Sequence, residues 1–141
     1  AGWVEWENAV FLWVNAAGGS FVNSFAQGGR QVNWYVGGAR PTEQSPIVRR
    51  LLGRGVGAAG EKRPTEVLMF VRPRSTEPYV CCGRCTYVAH DAGKKGFEFT
   101  WRLRDFAALS KSVAFGEIVA SQRRGKTGRS ATTASAAARW A

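Results

Sequence analysis

The stretch Glu66-Val-Leu-Met-Phe-Val-Arg72 is followed by two segments of the same kind, Pro78-Tyr-Val-Cys-Cys-Gly-Arg-Cys-Thr-Tyr-Val88 and Gly96-Phe-Glu-Phe-Thr-Trp-Arg-Leu-Arg104. All three are rich in β-branched and aromatic residues, which favour strands. The intervening Asp91–Gly96 predicts a hairpin-type connection. We therefore expect the centre of the chain to be a small β-structure with arginines at its strand ends.

Shorter elements precede this centre. Val10–Val14 and Gln31–Val36 are predicted as strands, and Phe21–Phe25 as a short extended segment. Ser45 is a candidate N-cap before Pro46, and the apolar spacing that follows predicts a helix ending at the next glycine.

Two segments after the centre are less regular. Asp105 is a candidate cap of a short helix, whereas Val113–Val119 suits a strand or a helix equally. The whole order predicts an α+β fold: a small mixed, mostly antiparallel β-barrel with one or two short helices and a basic C-terminal tail.

The length of 141 residues favours one domain, which we place at residues 1–120, followed by a basic low-complexity tail at 121–141. No apolar run reaches the ~18–20 residues of a membrane span, so a membrane partner is not expected. The start at Ala1 without a methionine is typical of a processed chain or a fragment.

The charge of the chain points to an acidic partner. Twenty Lys and Arg residues oppose 10 Asp and Glu, which gives a formal net charge of +10 and a high proportion of arginine. Arginine suits phosphate groups, so nucleic acid, RNA or DNA, is the expected partner. A merely solvated basic surface is the plainer alternative.

Candidate base-binding residues combine aromatic rings with small polar groups. Alternation places Trp34 in the core and turns its neighbour Tyr35 to the polar side. Most aromatic rings fill cores, and Asn and Ser are common in turns, so a structural role stays open for every member. The candidates are Asn23, Ser24, Asn33, Tyr35, Tyr79, Arg84 and Trp101.

Candidate phosphate-binding residues come from the helix, the glycine-rich loop, the strand ends and the tail. They are Arg49, Arg50, Arg54, Lys62, Arg63, Arg72, Arg74, Arg123, Arg124, Lys126 and Arg129. Arg102 and Arg104 extend the same rim. The tail is either an arm that orders on nucleic acid or a solvated terminus.

The cysteines Cys81, Cys82 and Cys85 lie close together with His90, which raises the question of zinc. On a regular strand Cys82 and Cys85 would face opposite sides, so no metal is predicted and the cysteines are expected to be small buried packing residues. Their odd number favours a reducing intracellular compartment: the nucleus, a mitochondrion or a chloroplast.

Catalysis is not predicted. One histidine and scattered carboxylates suggest no nucleophile–base pair, and Gly125-Lys-Thr127 lacks the upstream glycine of a phosphate loop. No cofactor is expected.

The order of several short motifs is similar to that of a known family. They are Phe21-x-Asn-Ser, Val32-Asn-Trp-Tyr, Gln44-Ser-Pro-Ile-Val-x-Arg-Leu, Val67-Leu-Met-Phe-Val-Arg, Pro78-Tyr-Val-x-x-Gly-Arg, Tyr87-Val-x-His and Phe99-x-Trp-x-Leu, over residues 20–106. This pattern resembles PUA-like small β-barrels, above all the uncharacterised domain appended to some bacterial helicases and nucleases; EVE and YTH domains are more distant in shape. The resemblance implies a barrel that reads nucleic acid, often a modified base held among aromatic rings.

Together these features predict a non-catalytic nucleic-acid-binding module that recognises a modified or extruded base, with an arginine rim on the phosphates. Two other functions stay open: an RNA-embedded structural subunit of a large ribonucleoprotein such as an organellar ribosome, and a fragment of a nucleic-acid-processing enzyme.

Overall fold

The computed structural model describes residues 2–16, 23–38, 40–53, 65–93 and 96–129, the last seven by backbone only. The fold is mixed α+β, with a sheet and few helices. Its elements are β1 (Trp3–Glu5), β2 (Ala9–Asn15), β3 (Phe25–Ala26), a 3-10 turn (Gln27–Gly29), β4 (Gln31–Tyr35), α1 (Pro46–Leu51), β5 (Glu66–Arg72), β6 (Val80–Gly93), β7 (Gly96–Leu103), α2 (Phe106–Leu109) and α3 (Val113–Arg129).

The strands form one seven-stranded sheet in the order β1-β2-β5-β6-β7-β4-β3. Neighbouring strands are antiparallel except for the parallel pair β2–β5. The predicted mostly antiparallel sheet and its three central strands are therefore confirmed.

The long strand β6 holds two halves of the sheet together. Its first part, Val80–Cys85, pairs with β5, and the rest, from Cys85 to Gly93, pairs with β7. This stagger curls the sheet, so that Trp3 on β1 reaches Trp34 on β4 with ring centroids 6.2 Å apart. Within the described ranges no ladder joins β1 to β3 or β4, so the sheet is open.

The core lies inside this curl. Strands β2, β4, β5 and β7 alternate between buried and partly exposed residues, which is the pattern of a sheet with one buried face. We call the buried side the inner face and the other side the outer face. The apolar side of α1 and residues Phe115, Ile118 and Val119 of α3 join the same buried cluster.

The helix start at Ser45 and Pro46 is confirmed, although the Ser45 hydroxyl accepts a hydrogen bond from the Thr42 N–H rather than from the helix. Val113–Val119 is helical, and its helix continues to Arg129, across the predicted boundary at residue 120. Gln122 fixes α3: its side-chain amide donates to the Ala16 carbonyl (3.1 Å) and accepts from the Phe25 N–H (2.9 Å).

The prediction that Cys82 and Cys85 face opposite sides is wrong. Met69 pairs with Gly83 and Phe70 with Cys81, which leaves Cys82 in a β-bulge. Both cysteines are therefore buried, 0% and 5% exposed, whereas Cys81 is exposed and is not the buried packing residue expected.

Among the described residues, no helix has the length and apolar character needed to cross a membrane.

Candidate nucleic-acid interface

Four aromatic rings lie together on the outer face of β2 and β5, and we call them the outer aromatic cluster: Phe11, Trp13, Phe70 and Tyr79. Trp13 stacks on Phe70, its direct neighbour across the parallel pair, with centroids 4.4 Å apart and planes at 22°. Phe11 meets Phe70 edge-on at 5.7 Å, and Tyr79 meets Trp13 at 4.9 Å.

Each ring of this cluster is only partly buried, so part of each ring is accessible from outside the protein. Trp6, 60% exposed, extends the row beyond Phe11 at 6.0 Å. Aromatic rings placed outside the core are surfaces on which nucleic-acid bases stack. Of the predicted base-binding residues, only Tyr79 belongs to this cluster.

Arg72 joins the cluster to the charged surface. Its guanidinium lies 4.4 Å from the centre of the Tyr79 ring, a cation–π contact, and its Nε donates to Asn15 Oδ1 at 2.5 Å. No carboxylate pairs with Arg72 among the residues that the structure describes. The guanidinium is thus held in place with its terminal nitrogens available for an anion.

Arg102, Arg104 and Arg84 continue the basic surface across the outer face of β6 and β7. Arg102 is exposed and, in the described part of the chain, has no ion pair. Arg104 pairs with Glu66 at 3.0 Å. Arg84 donates to both carboxylate oxygens of Asp105, with Nη2 at 2.8 Å from Oδ1 and the backbone N–H at 2.8 Å from Oδ2.

The Arg84–Asp105 pair is structural, because it ties the β6 bulge to the start of α2. Hydrogen bonds that the Arg84 side chain and backbone N–H donate to the Asp105 carboxylate lower the pKa of that carboxyl to about 2. Asp105 is the N-cap residue of α2 but gives its side chain to Arg84 rather than to the helix. Arg84, predicted to bind a base, is therefore already engaged within the protein.

This pair makes stability depend on pH in acid. Because the folded pKa of Asp105 lies below its ordinary value of 3.8, the unfolded chain binds more protons between the two values. The contribution of the Arg84–Asp105 pair to the free energy of unfolding is complete above about pH 4 and is lost as the pH falls towards about 2. We expect Asp105→Asn to be less stable at neutral pH and to lose less stability than wild type over this interval, measured by urea unfolding. If wild type and Asp105→Asn lost the same unfolding free energy over this interval, the lowered pKa of Asp105 would be contradicted.

The other predicted phosphate-binding residues are spread over the molecule. Arg74 is exposed, with Glu77 4.0 Å away. Arg49 contacts Gln44, whereas Arg50 bonds to Glu5 and to backbone carbonyls before β2, and so joins α1 to the β1–β2 turn. The remainder lie outside the described residues or side chains: Arg54, Lys62, Arg63, Arg123, Arg124, Lys126 and Arg129.

The predicted polar base-reading residues lie in the other half of the sheet, at β4 and β7 and near carboxylates. Asn33 donates to Glu98 Oε2 at 2.6 Å and accepts from the backbone N–H of Ser24. Burial and then the Glu98 carboxylate raise the pKa of the Tyr35 phenol. Asp91 lies directly opposite Glu98 in the β6–β7 ladder. Two carboxylates repel a phosphate, so this region is a poor place for a nucleic-acid backbone.

Asn23 and Trp101 complete the predicted set. The Asn23 carbonyl accepts from Gln122 at 2.6 Å, while its buried side-chain oxygen has no hydrogen-bond partner among the described residues. Trp101 is 1% exposed and stacks on Phe99 at 5.3 Å in the core. Its ring is therefore part of the packed interior.

The structure also places the distant Glu43 next to Tyr87 and His90. The His90 ring accepts or donates at both nitrogens, to the Tyr87 hydroxyl (2.6 Å) and to Glu43 Oε1 (2.8 Å), and it lies parallel to Phe97. Glu43 comes from the loop before α1, so its position next to His90 had no signal in local sequence.

The cysteines do not form a metal site with neighbouring side chains. Burial raises the pKa of the Cys82 thiol to about 12 and raises that of Cys85 further, so both are neutral thiols at physiological pH. Within the described ranges no three His, Cys, Asp or Glu side chains are grouped to hold a metal ion.

Compared with known proteins, the chain matches no family model, no curated protein and no solved structure.

Proposed function

We propose that this chain is a nucleic-acid-binding module whose contact surface is the outer face of β2, β5 and the first part of β6 (Val80–Cys85), bordered by Arg102 on β7. The observation that carries the proposal is the outer aromatic cluster beside Arg72, an arginine without a carboxylate partner in the described part. Partly exposed aromatic rings next to a cation are the combination used to hold bases and phosphates.

Electrostatics supports this half of the sheet over the other. The chain carries a formal net charge of +10, and Arg72, Arg102 and Arg104 all point to the outer face. The Asp91–Glu98 pair instead makes the surface near β4 unfavourable for phosphate. A strand bound along β2, β5 and the first part of β6, Val80–Cys85, therefore avoids the Asp91–Glu98 pair and lies next to Arg72.

The PUA-like barrel belongs to this proposal. The curl of the sheet and the contact between Trp3 and Trp34 support it, although Asn33, one residue of the predicted base-binding pocket, is already hydrogen-bonded to Glu98 and Ser24. The proposed surface thus replaces that pocket as the place of contact.

Replacing Arg72 or Arg102 by alanine is expected to weaken binding to any nucleic-acid sequence and to lower the slope of log K against log salt by about one. Fluorescence anisotropy at two salt concentrations measures both effects. Lys111→Ala, an exposed cation between α2 and α3, is the charge-matched control and should leave the slope unchanged. Equal slopes in all four proteins would refute the proposed surface.

A second candidate, a nucleic-acid-processing enzyme, is favoured by one observation, the Tyr87–His90–Glu43 chain of hydrogen bonds. An imidazole between a hydroxyl and a carboxylate is the arrangement that activates nucleophiles. Turnover of a bound oligonucleotide that disappears in both Tyr87→Phe and His90→Ala would establish this function.

A further inference from the structure

We infer that the outer aromatic cluster binds an unpaired strand rather than a duplex, by stacking bases on its rings. The inference rests on the proposed function and narrows its ligand. In a duplex the faces of the bases are covered by their neighbours, and a protein reaches only phosphates and groove edges. Rings with free faces gain contact area only when bases are unstacked.

The geometry provides places for neighbouring bases. The Trp13–Phe70 pair at the β5 end of the cluster is a face-to-face stack, with centroids 4.4 Å apart and planes at 22°, and a base can extend this stack from outside. Phe11 and Trp6, with centroids 6.0 Å apart, form a second unit further along β2. Phe11 and Trp13 are two residues apart on one strand, a distance of about 6.6 Å, so one strand of nucleic acid can contact both units.

Arg72 fixes where the backbone of that strand lies. Its Nε is used by Asn15 and its face by Tyr79, so the terminal nitrogens remain for a phosphate. Because Tyr79 touches Trp13, a phosphate on Arg72 lies next to a base stacked on the Trp13–Phe70 unit. The side chains that bind the base and the phosphate are therefore already in contact with each other in the free protein.

The residues around the outer aromatic cluster favour binding that depends little on the base sequence of the nucleic acid. The outward-facing neighbours of Phe70 and Phe11 in the ladders are Cys81, Leu68 and Val4, none of which reads a base edge by paired donors and acceptors. The side-chain oxygen of Asn15 already accepts a hydrogen bond from Arg72. Stacking without edge contacts tolerates every base, so the inferred ligand is a single strand of mixed sequence.

Anisotropy titrations of the full chain with a labelled thymidine-only DNA strand, a uridine-only RNA strand and a mixed-sequence duplex of equal length test this inference. We expect both single strands to bind more tightly than the duplex. Trp13→Ala should weaken single-strand binding about 5- to 150-fold and leave duplex binding unchanged, because only the stacking contact is lost. Trp13→Phe should restore most of the affinity.

Val88→Ala is the matched control, since it removes an exposed apolar side chain from the other half of the sheet. Phe11→Ala provides a second test if Trp13→Ala unfolds, as judged by thermal melting. Equal binding of duplex and single strands, unaffected by either aromatic substitution, would overturn the inference and leave the proposed function standing. Binding of no nucleic acid at all would overturn both.

Discussion

Replacing Trp101 by alanine is expected to lower the free energy of unfolding by about 3–5 kcal/mol. The ring is 1% exposed, stacks on Phe99 and pairs with Val32 across the β4–β7 ladder, so its removal leaves a cavity in the middle of the inner face. Urea unfolding monitored by far-ultraviolet circular dichroism measures the loss.

Trp6→Ala is the matched control, because it removes the same side chain from an exposed position and should change stability by no more than about 0.5 kcal/mol. Trp101→Phe should fall between the two: it keeps most of the packing and removes an indole N–H that is buried without a partner. A loss below about 1 kcal/mol for Trp101→Ala would show that the ring is not a core element.

Replacing Gly83 by alanine is expected to cost about 2–4 kcal/mol. Gly83 has a φ of +74°, which non-glycine residues adopt at a cost, and a Cβ there would lie 2.4 Å from Asp105 Oδ2. Since that carboxylate holds both the backbone and the side chain of Arg84, the added methyl group must displace a charged hydrogen-bond acceptor.

Gly53→Ala separates the two causes. Gly53 has nearly the same φ, +73°, but no atom lies within 4 Å of a Cβ built there, so only the conformational cost applies. Chemical denaturation of the two variants gives the contribution of the contact as a difference. Equal losses would mean that Asp105 moves away freely and that its bond to Arg84 adds nothing to stability.

The regular parts of the fold were predictable because their side chains alternate. β5 and β7 follow the period of two throughout, so the sequence alone places Met69 and Phe99 in the core. The same alternation in Ala9–Asn15 also predicts that two rings of the outer aromatic cluster lie on one face. Phe11 and Trp13 alternate with the buried Val10 and Leu12 and therefore lie on the opposite face of the strand.

The rest depended on contacts between distant residues. The bulge at Cys82 shifts the phase of β6 by one residue, which no count along a regular strand can reveal, although Gly83 inside a strand is a common sign of a bulge. The hydrogen bond from Asn33 to Glu98 joins residues 65 positions apart, and the one between His90 and Glu43 joins residues 47 positions apart. Such pairings are set by the curl of the sheet rather than by local pattern.

The parallel pairing of β2 with β5 affects the order in which the sheet can form during synthesis. Strands β5, β6 and β7 are consecutive and can associate as soon as they are synthesised, whereas β2 pairs with β5 across the whole intervening chain. On a ribosome, β1 and β2 emerge first, and the second edge of β2 has no partner until Glu66–Arg72 has followed. Strands β1 and β2, at one end of the finished sheet, are thus synthesised before β5 and join the rest of the sheet only after β5 has been made.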